Sequence, residues 1–244
     1  MQYQTAEPRL GHSAAEQRQN GLAPTVKSAV SDKKRVRCRT FGLRLEASEE
    51  TAMPQNRYPS PELKDLPDDI RARVLEVQDK AGFVPNVFLA LARRPAEWRA
   101  FFAYHDALML KEDGSLTKGD REMIVTATSA ANQCLYCVVA HGAILRIYEK
   151  KPLVADQVAV NYRKADITER QRAMLDFAMK VCLRSHEIAD ADFEALYPFG
   201  FTDEDIWDIA AITAFFGLSN RMASFSNMQP NPEFYLMGRV PKAK

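Results

Sequence analysis

The 244-residue sequence predicts an all-α protein, and three observations carry that prediction. Apolar residues recur at three- and four-residue spacing in segment after segment. No run alternates apolar and polar residues with the period of two that a half-buried strand needs. Glycine, the usual residue of tight hairpin turns, totals only 10.

Taken in order, Tyr58-Pro59-Ser60-Pro61 is an extended lead-in, because each proline disfavours helix in the residue before it. Asp68 and Asp69 open a helix through Lys80, with Ile70, Val74, Val77 and Ala81 on one face, and Gly82 stops it. Val84-Pro85-Asn86 starts a short helix towards Arg93. Pro95 starts the next, towards Leu110, and Lys111 to Ser115 form a turn. Thr117 caps a helix that starts at Lys118 and ends near Asn132, with Asp120 at its positive end. A second helix begins at the cysteines and runs towards Lys150. Further helices are expected at 154–163, 168–185, 190–197, 202–215 and 217–228. In the 168–185 segment Met174, Phe177, Ala178, Val181 and Cys182 fall on one core-facing stripe.

The spacing also suggests an internal repeat of a helical hairpin. Sliding the hairpin at Thr117 onto a second one at Thr202, with a break at Gly217, pairs Thr117 with Thr202 and Asp120 with Asp205. It pairs Glu122 with Trp207, Cys134 with Ser219, Cys137 with Met222 and His141 with Ser226, so the hairpin recurs and its chemistry does not.

A hydrophobic content of 46% beside 27% charged residues is ordinary for a soluble protein with a real core. The net charge of +1 supplies no field that would favour nucleic acid or an anionic membrane. No stretch approaches the roughly 18 consecutive apolar residues of a membrane span. The opening MQYQTAEPRLGHSAAEQ lacks the apolar region of a secretory signal, so a cytoplasmic location is expected. Residues 1–52 are polar, without sustained apolar periodicity, and carry a basic cluster at Lys33, Lys34, Arg35, Arg37 and Arg39. They read as a disordered extension ahead of a domain at 53–244. A mitochondrial targeting peptide is the alternative, opposed by Glu7, Glu16 and Asp32; a true start at Met53 is another.

Four cysteines are too few for a disulfide scaffold in a chain this long, and a close pair of them reads as catalytic or metal-binding. Cys134, Cys137 and His141 stand at i, i+3 and i+7, so on a helix Cys137 neighbours both others. A nearby imidazole and the positive end of a helix both favour the thiolate, which is the reactive form. Glu122 lies on the preceding helix. A hairpin at Asn132-Gln133, helped by the small side chains from Thr126 to Ala131, would bring its carboxylate back to orient His141 or pass protons. Two other readings compete. Cys134, Cys137, His141 and Glu122 could supply four zinc ligands, although paired ligands of a zinc knuckle come from separate elements. The cysteines and histidine could also simply pack in a core. Covalent haem attachment is excluded, since Val138 stands where a histidine would have to follow the second cysteine.

Glu122, eleven residues, Cys134-Leu135-Tyr136-Cys137, three residues and His141-Gly142 resemble the signature of the alkylhydroperoxidase D (AhpD) family, within the carboxymuconolactone decarboxylase-like group of all-α proteins. The likeness is to the peroxidase-related branch, covers residues 58–238 and has its motif core at 95–150. It implies reduction of organic hydroperoxides or hydrogen peroxide by a dithiol. By that resemblance Cys137 attacks the peroxide, Cys134 resolves the sulfenic acid as a disulfide, and Glu122 and His141 relay protons. It implies a homo-oligomer with no bound cofactor, re-reduced by an external thiol such as a lipoyl or thioredoxin-like protein. Tyr136 departs from the pattern, because the best-known members carry histidine there and a phenol of pKa about 10 is no base near neutrality. Decarboxylase members lack the paired cysteines, so that activity is not expected. A general dithiol–disulfide oxidoreductase and a redox-sensing or zinc-bound interaction module are the alternative functions.

Among other residues, His105, beside Tyr104 and Asp106, reads as a surface or satisfied core histidine rather than a pocket residue. His186 reads as a charge at a helix C-terminus, Cys182 as inert core, and Cys38 as a thiol without an evident use. Trp98, Phe101 and Phe102, and Trp207, Phe215 and Phe216, read as core or subunit contact rather than a substrate box.

Overall fold

The computed structural model describes residues 56–239, and the expectations for residues 1–52, Cys38 among them, lie outside that range. Regular structure in it is wholly helical: α1 (Asp68–Ala81), α2 (Asn86–Ala92), α3 (Pro95–Met109), α4 (Lys118–Ala131), α5 (Leu135–Glu149), α6 (Val154–Asn161), α7 (Glu169–Arg184), α8 (Asp190–Glu194), α9 (Asp203–Phe225) and α10 (Glu233–Leu236), with single turns of 3-10 helix between some of them. The all-α prediction holds. No helix among the described residues is long and apolar enough to cross a membrane.

Helix α4 is the axis of the fold. It packs against α5, α6, α7 and α9, and every residue from Gly119 to Ser129 is buried. A helix enclosed on all sides has to satisfy its polar side chains internally. Thr126 and Thr128 do so by donating back to the carbonyls of Glu122 and Ile124, both at 2.8 Å. Arg121 sends its guanidinium to the carbonyls of Met109, Lys111 and Asp113, and thereby closes the end of α3 and the turn that follows.

Three helices begin with the same device. Thr117, Thr168 and Thr202 accept from the third backbone amide of α4, α7 and α9, while Asp120, Gln171 and Asp205 reach back to the cap amide. Asp205 does more. One carboxylate oxygen takes the Thr202 amide at 2.8 Å and the other takes the Ser115 amide at 2.9 Å, joining the starts of α4 and α9. Burial pushes this carboxyl up, but the Thr202 and Ser115 donors outweigh it and hold it at about 2. A depressed carboxyl contributes stability that is present above its ordinary value of 3.8 and lost as pH falls towards 2. Asp205→Ala is expected to cost about 1–3 kcal/mol at pH 7 in urea unfolding. That deficit should shrink as the pH is lowered through the same window; a pH-independent deficit would assign it to packing alone.

The expected repeat is corrected here. Its opening caps recur, but the second hairpin does not exist, because α9 runs unbroken from Asp203 to Phe225. A glycine inside a helix costs only about 1 kcal/mol relative to alanine, and Gly217 keeps a helical backbone between packed turns. The first hairpin breaks for a different reason. Gln133 adopts a left-handed φ of 54°, and the Cys134 amide reaches back to the Ser129 carbonyl at 2.9 Å, a Schellman stop. The same stop closes α9 only at Asn227 (φ 55°), where the Met228 amide reaches the Ala223 carbonyl.

Helices α1 to α3 form a smaller apolar layer around Ile70, Val74, Trp98 and Phe102. The C-terminal segment clasps it. Asn231 accepts from the Asn86 amide at 2.8 Å and donates to the Val84 carbonyl at 2.9 Å. Arg146 of α5 holds the carbonyls of Phe234 and Met237 at 2.8 and 2.9 Å. Arg146 lies in the last turn of α5, so these contacts hold α10 beside the C-terminal part of that helix, while Phe234 packs in one apolar cluster with Cys134, Tyr136 and Cys137.

Candidate active site

The Schellman stop at Gln133 makes Cys134 the N-cap residue of α5 and puts Cys137 in its first turn. Both sulfur-bearing residues are buried, each about 1% exposed, and both thiols are free. The hairpin carries α4 back alongside α5, and the expected partnership forms: His141 Nδ1 lies 2.7 Å from Glu122 Oε2. With the carboxylate accepting from Nδ1–H, Nε2 is the ring nitrogen left for chemistry. Phe216 of α9 stacks edge-on against the imidazole, 4.7 Å between centroids, and fixes its plane.

Sequence reasoning missed the contribution of α9. Ser219 Oγ stands 3.8 Å from Cys137 Sγ. Asn220 donates to Ser129 Oγ and accepts from Asn132 Nδ2, both at 2.9 Å, so it bolts α9 to the hairpin. Its amide also favours the thiolate form of both cysteines. The repeat alignment had paired Cys134 with Ser219, a polar residue on a helix stripe, and that was the only available signal.

The two thiols are electrostatically unlike. The Cys137 thiol beside it holds Cys134 down to about 6 against burial, helped by the Cys137 backbone amide, Asn220 and His141. Cys134 and burial together push the Cys137 thiol well above its ordinary value. Helical spacing had suggested the thiolate on Cys137, next to His141; the resting charge sits on Cys134 instead, at the helix end. Titrating the reduced protein by thiolate absorbance is expected to show one thiolate appearing near pH 6 and the second only in strong alkali. Two thiols titrating together above pH 8 would contradict this arrangement.

A cavity of about 270 Å³ opens against Cys137 and His141. Its walls are apolar, with Val87, Phe88, Phe102, Ile144, Phe216 and Phe234 prominent. Phe102 and Phe216 are buried in the core, as expected, and together with the partly buried Phe101 they also line this cavity; Trp98 and Phe215 are core as expected. His105 is partly buried and satisfied through Nδ1 by Asp106 at 3.0 Å, as expected, but it also lines this cavity, which corrects its exclusion from the pocket. Trp207 is 71% exposed and is no part of the core. Cys182 is half-buried with its thiol pushed up by burial, and His186 is exposed in a turn beyond α7.

Tyr136 has no place in a proton path. Its hydroxyl accepts from the Val87 amide at 3.1 Å, and burial pushes its ionisation far above the usual phenol value. It pins α2 to α5. Among the described residues no group of three or more His, Cys, Asp and Glu is arranged to hold a metal ion.

The profile of the carboxymuconolactone decarboxylase family matches residues 95–152, the span from α3 to just beyond α5. The chain is similar to a peroxidase-related protein with an alkylhydroperoxidase AhpD core from Ralstonia eutropha JMP134. The two share 81% identity over 78% of this chain and 100% of that one, with a TM-score of 0.77. A peroxidase-related protein from Silicibacter sp. TM1040 is 41% identical over 79% of this chain and 100% of its own, with a TM-score of 0.73. The debrominase Bmp8 shares the fold at 19% identity, over 78% of this chain and 98% of its own, with a TM-score of 0.59. No curated protein matches the chain.

Proposed function

Because the chain belongs to the carboxymuconolactone decarboxylase family, among its AhpD-like, peroxidase-related members, we propose that it is a thiol-dependent peroxidase reducing organic hydroperoxides. The observation that carries this reading is the apolar cavity ending on Cys137 and on a histidine held by a buried carboxylate. An organic hydroperoxide has an apolar body for such walls and a polar end for the sulfur and imidazole.

In the reduced pair Cys134 holds the charge and Cys137 the proton. Its shift to Cys134 leaves the Cys137 thiolate facing the cavity. That thiolate attacks the terminal peroxide oxygen; the O–O bond breaks, the alkoxide leaves and takes a proton by way of His141, and Cys137 becomes a sulfenic acid. Cys134 gives up its proton easily, as its depressed pKa implies, and attacks the Cys137 sulfur. Water leaves and a disulfide forms. Glu122 keeps His141 oriented and sets a negative charge beside the imidazole through which the proton passes. An external thiol closes the cycle, which needs no bound cofactor and suits the reducing cytoplasm. We also take the working form as a homo-oligomer, with the exposed Trp207, Leu218 and Phe225 along one side of α9 available for subunit contact.

Mixing the reduced protein with one equivalent of cumene hydroperoxide in stopped flow tests the proposal. Two thiols should be lost per peroxide consumed, with cumyl alcohol as product. Loss of peroxide without a disulfide, or no reaction on the timescale of seconds, would count against it.

A further inference from the structure

The two cysteines open to different sides of the molecule. Cys137 lines the apolar cavity with His141, and Cys134 does not. Cys134 instead lines a second cleft of about 220 Å³, with Gln133, Ser224 and Gln229, and neither Cys137 nor His141 reaches it. Among the described residues Tyr136 is the only one common to both walls. It is a fixed partition, buried and held through its hydroxyl by the Val87 amide. The left-handed turn at Gln133 creates this arrangement by placing Cys134 at the cap of α5, where it stays buried but borders the second cleft. Among the described residues the walls of the second cleft carry no ionisable group besides Cys134 and the Tyr136 phenol, and Leu135 stands half exposed at its rim.

We propose that this second cleft is the reductant site: an external thiol on a slender, uncharged arm enters beside Gln133 and attacks Cys134, while peroxide uses the cavity at Cys137. The proposal rests on the dithiol cycle above and adds to it where each co-substrate enters. The thiolate of the reductant attacks Cys134 Sγ, the S–S bond breaks, and its electron pair leaves on Cys137 Sγ, which takes up a proton from the His141 side. A second thiol of the reductant then attacks its own sulfur in the mixed disulfide. Cys134 leaves as a thiolate, which its depressed pKa makes a good leaving group. The sum is one protein disulfide and two external thiols converted to two protein thiols and one external disulfide. Separate access lets a reductant wait at its own cleft without competing for the cavity that peroxide needs.

The test bypasses peroxide, so that it can be read even if the peroxidase proposal fails. The full-length protein is oxidised to the Cys134–Cys137 disulfide with diamide and mixed with dithiothreitol, and regained thiols are counted by quenched alkylation. Ser224 is exposed, so a larger side chain there fills the cleft without entering the core. Ser224→Phe is expected to slow reduction by about tenfold or more while leaving single-turnover oxidation by cumene hydroperoxide within about twofold. Ala81→Phe, which narrows the cavity, should do the reverse. Unchanged reduction in Ser224→Phe, or slowed reduction in Ala81→Phe, would overturn the assignment. The unmutated protein supplies an independent measurement. With 2-mercaptoethanol and an acid quench, the trapped mixed disulfide should lie on Cys134, which chymotryptic cleavage after Tyr136 separates from Cys137. An adduct on Cys137 would overturn the proposal as well.

Discussion

Cys137→Ser is expected to abolish hydroperoxide reduction, with a loss of about a thousandfold or more, because no other thiol among the described residues faces the cavity. Cys134→Ser should behave differently. It keeps the cavity-facing sulfur and removes the resolving partner, so a single burst of peroxide consumption should leave a sulfenic acid on Cys137 that dimedone captures. The burst itself should be slower than in the unmutated protein, since the oxygen that replaces the sulfur cannot share the proton in the same way. The depressed pKa of Cys134 makes the opposite assignment worth stating as a competing result. If the lower-pKa thiol is the one that meets peroxide, Cys134→Ser will be dead and Cys137→Ser will form the sulfenic acid. Mass spectrometry of the dimedone adduct in each variant decides between them. Access favours Cys137: reactivity needs a path to the sulfur as well as a thiolate, and of the described cysteines the apolar cavity reaches Cys137 and not Cys134.

The second large effect is expected at Glu122. Glu122→Gln preserves the shape and can still accept from His141 Nδ1–H, but it removes the negative charge beside the imidazole. The rate of sulfenic acid formation should fall by about 10²–10⁴, the range that a positioned general acid or base contributes. His141→Gln should fall by a similar factor. If the two residues work as one unit, the double variant loses no more than either single variant, a non-additivity that two independent contributions would not show. The fold should survive all three changes, because the cap network at Thr117 and the Arg121 contacts to the end of α3 do not involve these side chains. A Glu122→Gln protein with unaltered kinetics would take the carboxylate out of the mechanism and leave it as a core anchor for His141.

Much of this is legible in the sequence. Local rules were sufficient for the helix starts at Thr117, Thr168 and Thr202, because a capping box involves only four consecutive residues. They were sufficient too for the pairing of Glu122 with His141, since a short break between two helices of known period leaves few ways for the second to fold back. They failed at Gly217. There the sequence carries a weak helix breaker, and whether it breaks depends on what packs around it; α9, buried against α4 and α7, stays whole.

The sequence by itself determined the helical class, the hairpin that carries the dithiol, and the identity of the residues that meet there, because each depends on periodicity and spacing along one chain. The tertiary structure alone decided which sulfur carries the resting charge and which one faces the cavity. Those properties come from residues far away in sequence: Ser219 and Asn220 on α9, Phe216 against the imidazole, and Val87 holding Tyr136 as a wall between two openings. A thiol's pKa and its access to solvent are set by whatever surrounds it in space, and helical spacing describes only the neighbours on its own helix.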